Sequence, residues 1–274
     1  MMKVSFILLD WHVRESFHVL EYLNQQSITR DQYEIIWIEY YERKWWHHPK
    51  YAPDQYVTMN RPRAETYHKH KMYNLGLQMA LGDIVCILDS DAVLTCNFVR
   101  EIISSTRPGV VLHLDEVRNH NKAYYPFCYP TTDQLKAKPS NWTGFTTRGM
   151  ESTEDMIHRR NYGACMAAWK TDLIRIGGAD EHEDYRGYIC GPYDMTFRLR
   201  NAGVKEVWHP GEFVYHAWHP HQDGAGILRE FGPHDGRHMS TRALMNLNNG
   251  RVLPWVENED IKQCRLSLQK IKIG

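Results

Sequence analysis

Gly82-Asp83-Ile84-Val85-Cys86-Ile87-Leu88-Asp89-Ser90-Asp91 is an apolar, partly β-branched run that stops at two acids one residue apart. Its length suits a strand, and its near-continuous apolarity suits one buried on both faces of a parallel sheet. In an extended chain residues i and i+2 point the same way, so Asp89 and Asp91 are expected to project together from the carboxyl end of the strand, where open α/β sheets bind ligands. Two carboxylates about 4 Å apart repel by about 4 kcal/mol at an effective dielectric of about 20. A divalent cation with oxygen ligands removes that repulsion, so the stretch reads as a metal site holding a phosphorylated substrate.

Upstream, Val4–Leu9 reads as a strand ending at Asp10. Val13, Phe17, Leu20 and Asn24 follow at helical spacing, and Tyr33–Ile38 is a second buried strand closed by Glu39. This is a βαβ unit, expected to be parallel and right-handed. Met72, Leu75 and Met79 mark a helix face, with Gly82 placed as the glycine that ends the helix. Downstream, Thr95 or Asn97 caps a helix through Ile102 and Ile103, and Val110–Leu114 and Gly163–Trp169 read as strands. Thr171 caps a short helix that stops at Gly177-Gly178. Pro192 opens another, whose buried face is Met195, Leu199 and Ala202 and whose end is Gly203. Lys205–Trp208 and Glu212–His216 read as two short strands. A last helix is capped by Asn258 and buries Ile261, Cys264, Leu268 and Ile271.

Residues 40–63 form an aromatic, Pro-broken loop in which Trp45 and Trp46 suit either acceptor stacking or a partner surface. Residues 119–160 are irregular, and His219–Arg242 reads as a loop, Gly236 arguing against a helical metal pair of His234 and His238. The 274 residues carry 33 Lys+Arg against 33 Asp+Glu, a balance that does not point to nucleic acid or an anionic membrane. Six cysteines include no C-x-x-C pair; Cys86 and Cys165 read as ordinary buried thiols, which fits a reducing compartment. Val4–Leu9 is too short for a signal-peptide core or a bilayer span, so the expected state is soluble and cytoplasmic, with Asn141-Trp142-Thr143 a chance glycosylation match. Neither G-x-x-x-x-G-K-[ST] nor G-x-G-x-x-G occurs, which argues against kinase and dehydrogenase readings.

In its first half the chain resembles the donor-binding half of the GT-A glycosyltransferases, most closely glycosyltransferase family 2. Val4–Asp10, a helix and Tyr33–Glu39 match the opening of that family, Glu39 standing where its uracil-contacting acid, usually Asp, stands. Tyr73-Asn74-Leu75-Gly76 is similar to A-R-N-x-G with the arginine absent, and Gly82–Asp91 to G-D-x-x-x-x-L-D-x-D. Gly177-Gly178-Ala179-Asp180-Glu181 is similar to G-G-F-D-E, and Asp194–Arg200 to the helix E-D-x-D-L-x-x-R-L. His216, in Tyr215-His216-Ala217-Trp218, stands where related transferases place a metal-binding histidine, with His219 and His221 as rivals. The resemblance covers most of residues 4–219.

The resemblance implies a single α/β domain over 1–274, with a mixed, mostly parallel Rossmann-like sheet. Residues 1–115 would be the nucleotide-sugar half, 116–221 the acceptor half and 222–274 a C-terminal loop and helix. It implies Asp89, Asp91 and His216 as ligands of Mn2+ or Mg2+, and Glu39, Asn74, Asp89 and Asp91 as contacts of a nucleotide-sugar donor, UDP-linked first. The acceptor would be a glycan, a lipid-linked molecule or a protein. Asp194 is the candidate base, but Gly191 and Pro192 occupy the place of the usual E-D pair, with Glu181, Glu183 and Asp184 as alternative carboxylates. The reaction is expected to be inverting; the alternatives are a retaining transferase, a sugar-phosphate nucleotidyltransferase and a non-catalytic sugar-nucleotide-binding protein.

Overall fold

The computed structural model describes residues 3–12, 17–42, 50–125, 128–140, 162–187, 191–220, 258 and 261. Val13, Trp45 and Trp46, residues 141–160, Asn141-Trp142-Thr143, the chain from His221 through His234 and His238, and the C-terminal helix past Ile261 lie outside these residues.

Strand β1 (Val4–Asp10) is buried along its whole length and pairs in parallel with β2 (Tyr33–Glu39) on one side and β4 (Ile84–Leu88) on the other. A short β3 (Gln55–Thr58) extends the sheet beyond β2. On the far side of β4, β7 (Cys165–Trp169) runs antiparallel to both β4 and β6 (Val110–Asn119). Next, β8 (Lys205–Ala217) runs parallel to β6 and carries β5 (Ala92–Val93) antiparallel on its outer edge. The eight strands thus form one mixed sheet in the order β3-β2-β1-β4-β7-β6-β8-β5.

Strand side chains alternate between faces, and two apolar layers result. Phe6 and Leu8 pack with Leu20 of α1 (His18–Leu23) and with Phe98, Val99 and Ile102 of α3 (Phe98–Ser105). Ile7 and Leu9 face the other way, toward Met72, Tyr73 and Leu77 of α2 (Lys69–Met79). The same layer holds Leu173 and Ile174 of α5 (Lys170–Arg175) and Met195 and Leu199 of α6 (Gly191–Asn201). A fourth short helix, α4 (Thr132–Lys136), lies in the irregular stretch and is closed by a capping box between Thr131 and Gln134.

Several expectations change in detail. Helix α2 buries Met72, Tyr73, Gly76 and Leu77, while Leu75 and Met79 are only partly buried. Gly82 does not end that helix, whose C-cap is Ala80 in an extended conformation. A Cβ on Gly82 would lie 2.8 Å from the Val4 carbonyl carbon and 2.9 Å from the Ser5 nitrogen, so the residue is glycine because two backbones nearly touch. Thr171 lies inside α5, with Trp169 at the cap position. Asn97 takes the cap position of α3 without a side-chain bond, and Gln26 Oε1 instead accepts from Val99 N at 2.9 Å. The two short strands expected around Pro210-Gly211 are one strand, β8, with a register shift against β6 between His113 and Asp115. Near that irregularity His209 Nδ1 accepts from the Glu212 amide at 2.8 Å, serving a donor the ladder does not. Gly177 and Gly178 do end α5, with φ of 81° and 69°.

The contrast between two glycines is testable. Gly82→Ala is expected to lower the unfolding free energy by about 1–3 kcal/mol, because the backbone of β1 must give way. Gly211→Ala, which meets nothing within 4 Å, is expected to stay within about 0.5 kcal/mol of wild type in the same urea titration.

Candidate metal and donor site

The sheet order brings the ends of β4 and β8 together through β5. β4 stops at Leu88; Asp89, Ser90 and Asp91 form a turn in which Ala92 N donates to Asp89 O at 3.2 Å, and the chain enters β5. Ala92 is the register partner of His216. The backbone leaves the strand at Asp89, and the charges of Asp91 and His216 both act on the Asp89 carboxyl. Asp91 turns toward β8, and Asp89 lines a neighbouring cleft.

Asp91 Oδ2 lies 3.4 Å from His216 Nε2 and 3.0 Å from His219 Nε2, and the two imidazole nitrogens are 3.1 Å apart. All three residues are buried, at 7%, 6% and 6% exposure. His219 Nδ1 donates to the Pro220 carbonyl at 2.7 Å, which turns Nε2 toward Asp91 and His216. Two ligands bonded at about 2.1 Å and at right angles to each other lie about 3 Å apart, so the spacing suits one small cation. Among the described residues this is the one group of three potential ligands within 4.8 Å of each other. His216 and His219, rivals in the sequence, stand together. Burial opposes a charged His216 ring, but Asp91, helped by Glu116, outweighs it and raises its proton affinity. A further imidazole, His18 of α1, is held down to about 4, chiefly by burial, with the Asp91 charge acting in the opposite sense.

The cleft beside the cluster is lined by Leu9, Trp11, Lys69, Tyr73, Leu88, Asp89 and Ser90. Burial, then the charge of Asp91, pushes the Asp89 carboxyl up to about 7, with Lys69 partly offsetting them. Trp11 stacks on Tyr67 with ring centroids 4.3 Å apart and carries Lys69 Nζ over its ring at 4.6 Å. Glu116 of β6 also faces Asp89 and His216, and its Oε2 accepts from Arg118 Nε at 2.7 Å. Arg118 is the register partner of His216, so the strand pairing alone sets these groups on one face. None of Trp11, Lys69, Glu116 or Arg118 stood out in the sequence, because they come from separate segments with no shared motif.

The other sequence-predicted residues have partners of their own. Glu39 is fully buried at the end of β2, its Oε1 accepting from Tyr41 N at 3.3 Å and lying 3.6 Å from His12 Nε2. Asn74 is engaged by protein: its Nδ2 donates to Ala179 O and to Glu181 Oε1, and its Oδ1 accepts from Ala179 N, each at 2.8 Å. It fastens α2 to the Gly177–Glu181 segment. Glu181 also accepts from Asn258 Nδ2 at 2.9 Å, and Glu183 is exposed beside Arg186 and Lys71. Asp194 accepts from Arg198 Nε at 2.7 Å, and the same guanidinium donates to the carbonyls of Ile176 and Gly178. This buried pair closes the glycine turn after α5. The half-buried Asp180, which the motif contained but to which no role was given, has its proton affinity raised by burial and then by Asp194.

Asp194→Ala is therefore expected to cost about 3–5 kcal/mol of stability in denaturant unfolding, since it strands a buried guanidinium. An unchanged midpoint would mean that Asp194 is not holding the turn. Nearby, His70 of α2 is held down to about 3, chiefly by burial, with Asp194 pulling the other way. The unfolded ring takes a proton near pH 6.5 while the folded ring does not, so this group makes the fold lose stability as pH falls from about 6.5 toward 3. His70→Asn is expected to flatten that acid limb in urea titrations between pH 7 and about 4.

No protein-family model and no curated protein sequence matches the chain. Solved structures do. The mannosyltransferase PcManGT from Pyrobaculum calidifontis, in complex with GDP-Man and Mn2+, superposes with a TM-score of 0.52 at 14% identity over 80% of this chain. S. aureus TarS 1-349 in complex with UDP-GlcNAc superposes with a TM-score of 0.53 at 11% identity over 83% of this chain. The matches cover 58% and 62% of those chains, so this chain spans about three-fifths of their length. At such identities the likeness concerns architecture: the chain has the GT-A fold.

Proposed function

We propose that the chain is a metal-dependent glycosyltransferase that moves a sugar from a nucleoside-diphosphate sugar to an acceptor hydroxyl. The observation that carries this reading is the buried Asp91–His216–His219 cluster at the edge of a cleft, at the carboxyl ends of β1 and β4 in a GT-A fold. The GDP-Man and Mn2+ bound by one structural neighbour and the UDP-GlcNAc bound by another support it.

Asp91, His216 and His219 would hold the cation, which supplies Lewis acidity and a template for the leaving diphosphate. One oxygen and two imidazole nitrogens suit Mn2+ better than Mg2+, whose preference is for oxygen and water. Asp89 stands outside this ligand group and acts from the cleft wall, beside Lys69 and Trp11. Acceptor activation falls to a carboxylate other than Asp194, which is spent on Arg198. Asp180, whose proton affinity is raised by burial and then by Asp194, suits proton uptake better than the tethered Glu181.

Calorimetric titration with UDP and GDP tests the reading. One of them is expected to bind at least about tenfold tighter with Mn2+ than with EDTA, and Mn2+ is expected to act at lower concentration than Mg2+. Asp91→Asn and His219→Ala are each expected to abolish the metal effect. Equal binding with and without metal would sink the proposal. With the sugar nucleotide supplied, release of nucleoside diphosphate is expected; pyrophosphate formed from a nucleoside triphosphate would identify a nucleotidyltransferase instead. The Gly191-Pro192 departure also leaves room for a binding protein, which slow hydrolysis without transfer to any acceptor would reveal.

A further inference from the structure

One carboxylate, Asp89, lines the cleft and a second, Asp91, acts on it from beside the cleft, so a diphosphate entering meets their repulsion. The cation site answers for Asp91 alone, because Asp89 lies outside the Asp91–His216–His219 group. Lys69 is the one cationic residue among those lining the cleft. Only 7% of it is exposed, unusual for a lysine, and its ammonium sits 4.6 Å above the Trp11 ring. Trp11 is itself fixed by stacking on Tyr67. The helix that carries Lys69 is pinned against the sheet at Gly76, where a Cβ would lie 2.7 Å from Ile7 Cγ2, and is tied to the Gly177–Glu181 segment by Asn74. The ammonium is therefore presented by a rigid element. Tyr73, four residues on and on the same helical face, lines the cleft too and stands where the resembling motif has arginine. Lys69 restores a positive charge to that face one turn earlier.

We propose that Lys69 is a positioning residue for the diphosphate of the donor, an inference that rests on the nucleotide-sugar reading above. A cation held by Asp91, His216 and His219 would neutralise charge on the Asp91 side of the cleft, and Lys69 does so on the Asp89 side. A lysine suits this role because a compact ammonium with three donors follows phosphate oxygens without demanding one fixed geometry.

The test uses Lys69→Met, Lys69→Gln and Lys69→Arg in the full chain at saturating Mn2+, with UDP, GDP and the corresponding neutral nucleosides as probes. Loss of the charge is expected to weaken the preferred diphosphate about ten- to hundredfold and to leave its nucleoside unchanged. It is also expected to flatten the salt dependence of diphosphate binding, while Lys69→Arg retains most of the affinity. Mn2+ affinity without nucleotide, read by electron paramagnetic resonance, is expected to match wild type in all three variants. Should Met misfold on melting analysis, Gln keeps a polar end without the charge and decides the matter. Diphosphate binding by Lys69→Gln equal to wild type overturns the inference while the donor reading stands. Equal losses for nucleoside and diphosphate also overturn it, since the contact is then not to phosphate. If wild type binds neither diphosphate, the donor reading fails and this inference with it.

Discussion

Two imidazole nitrogens 3.1 Å apart, both directed at one buried carboxylate oxygen, form the constraint to which the rest of the site answers. Three polar side chains taken out of water need a shared partner, and a proton serves only one pair at a time. To bring them together the fold joins residues 91 and 216 across β5 and β8, and β8 reaches that place only because β6 and β7 bridge it to β4. The reversal of strand direction at β7 follows from the same need. A purely parallel continuation of β1 and β4 would require another crossover before β6.

The opposite flank is set by close approach rather than by charge. Gly82 lets the backbone entering β4 touch that of β1, and Gly76 lets α2 sit down on Ile7. These contacts fix where α2 begins, and so where Lys69 and Tyr73 meet the cleft. Asn74 then anchors the Gly177–Glu181 segment to that helix, and the Asp194–Arg198 pair ties the same segment to α6. Asn74, which the motif match places at the donor, also serves here as a fastener between α2 and the Gly177–Glu181 segment.

Buried strands were legible in the sequence because apolar runs between turn residues have few other uses; β1, β2, β4 and β7 fall within a residue or two of expectation. Helix faces were less so. On α2 the pattern Met72, Leu75, Met79 competes with Tyr73, Gly76 and Leu77, and only contact with Ile7 decides between them. Helix starts were missed where the cap comes from afar, as Gln26 does for α3, since local spacing carries no trace of a partner 73 residues away. At the site, Asp91 could be read from its position at a strand end and His216 from the resemblance. That His219 stands beside both could not, because it lies past the end of β8.

The cleft holds Asp89 and Lys69 beside Trp11, next to the Asp91–His216–His219 group. Burial and then the Asp91 charge raise the Asp89 proton affinity to about 7, and Lys69 partly offsets them. A carboxylate poised in this way answers to any new charge within a few ångströms, and binding of a cation or of a phosphate shifts it in opposite senses.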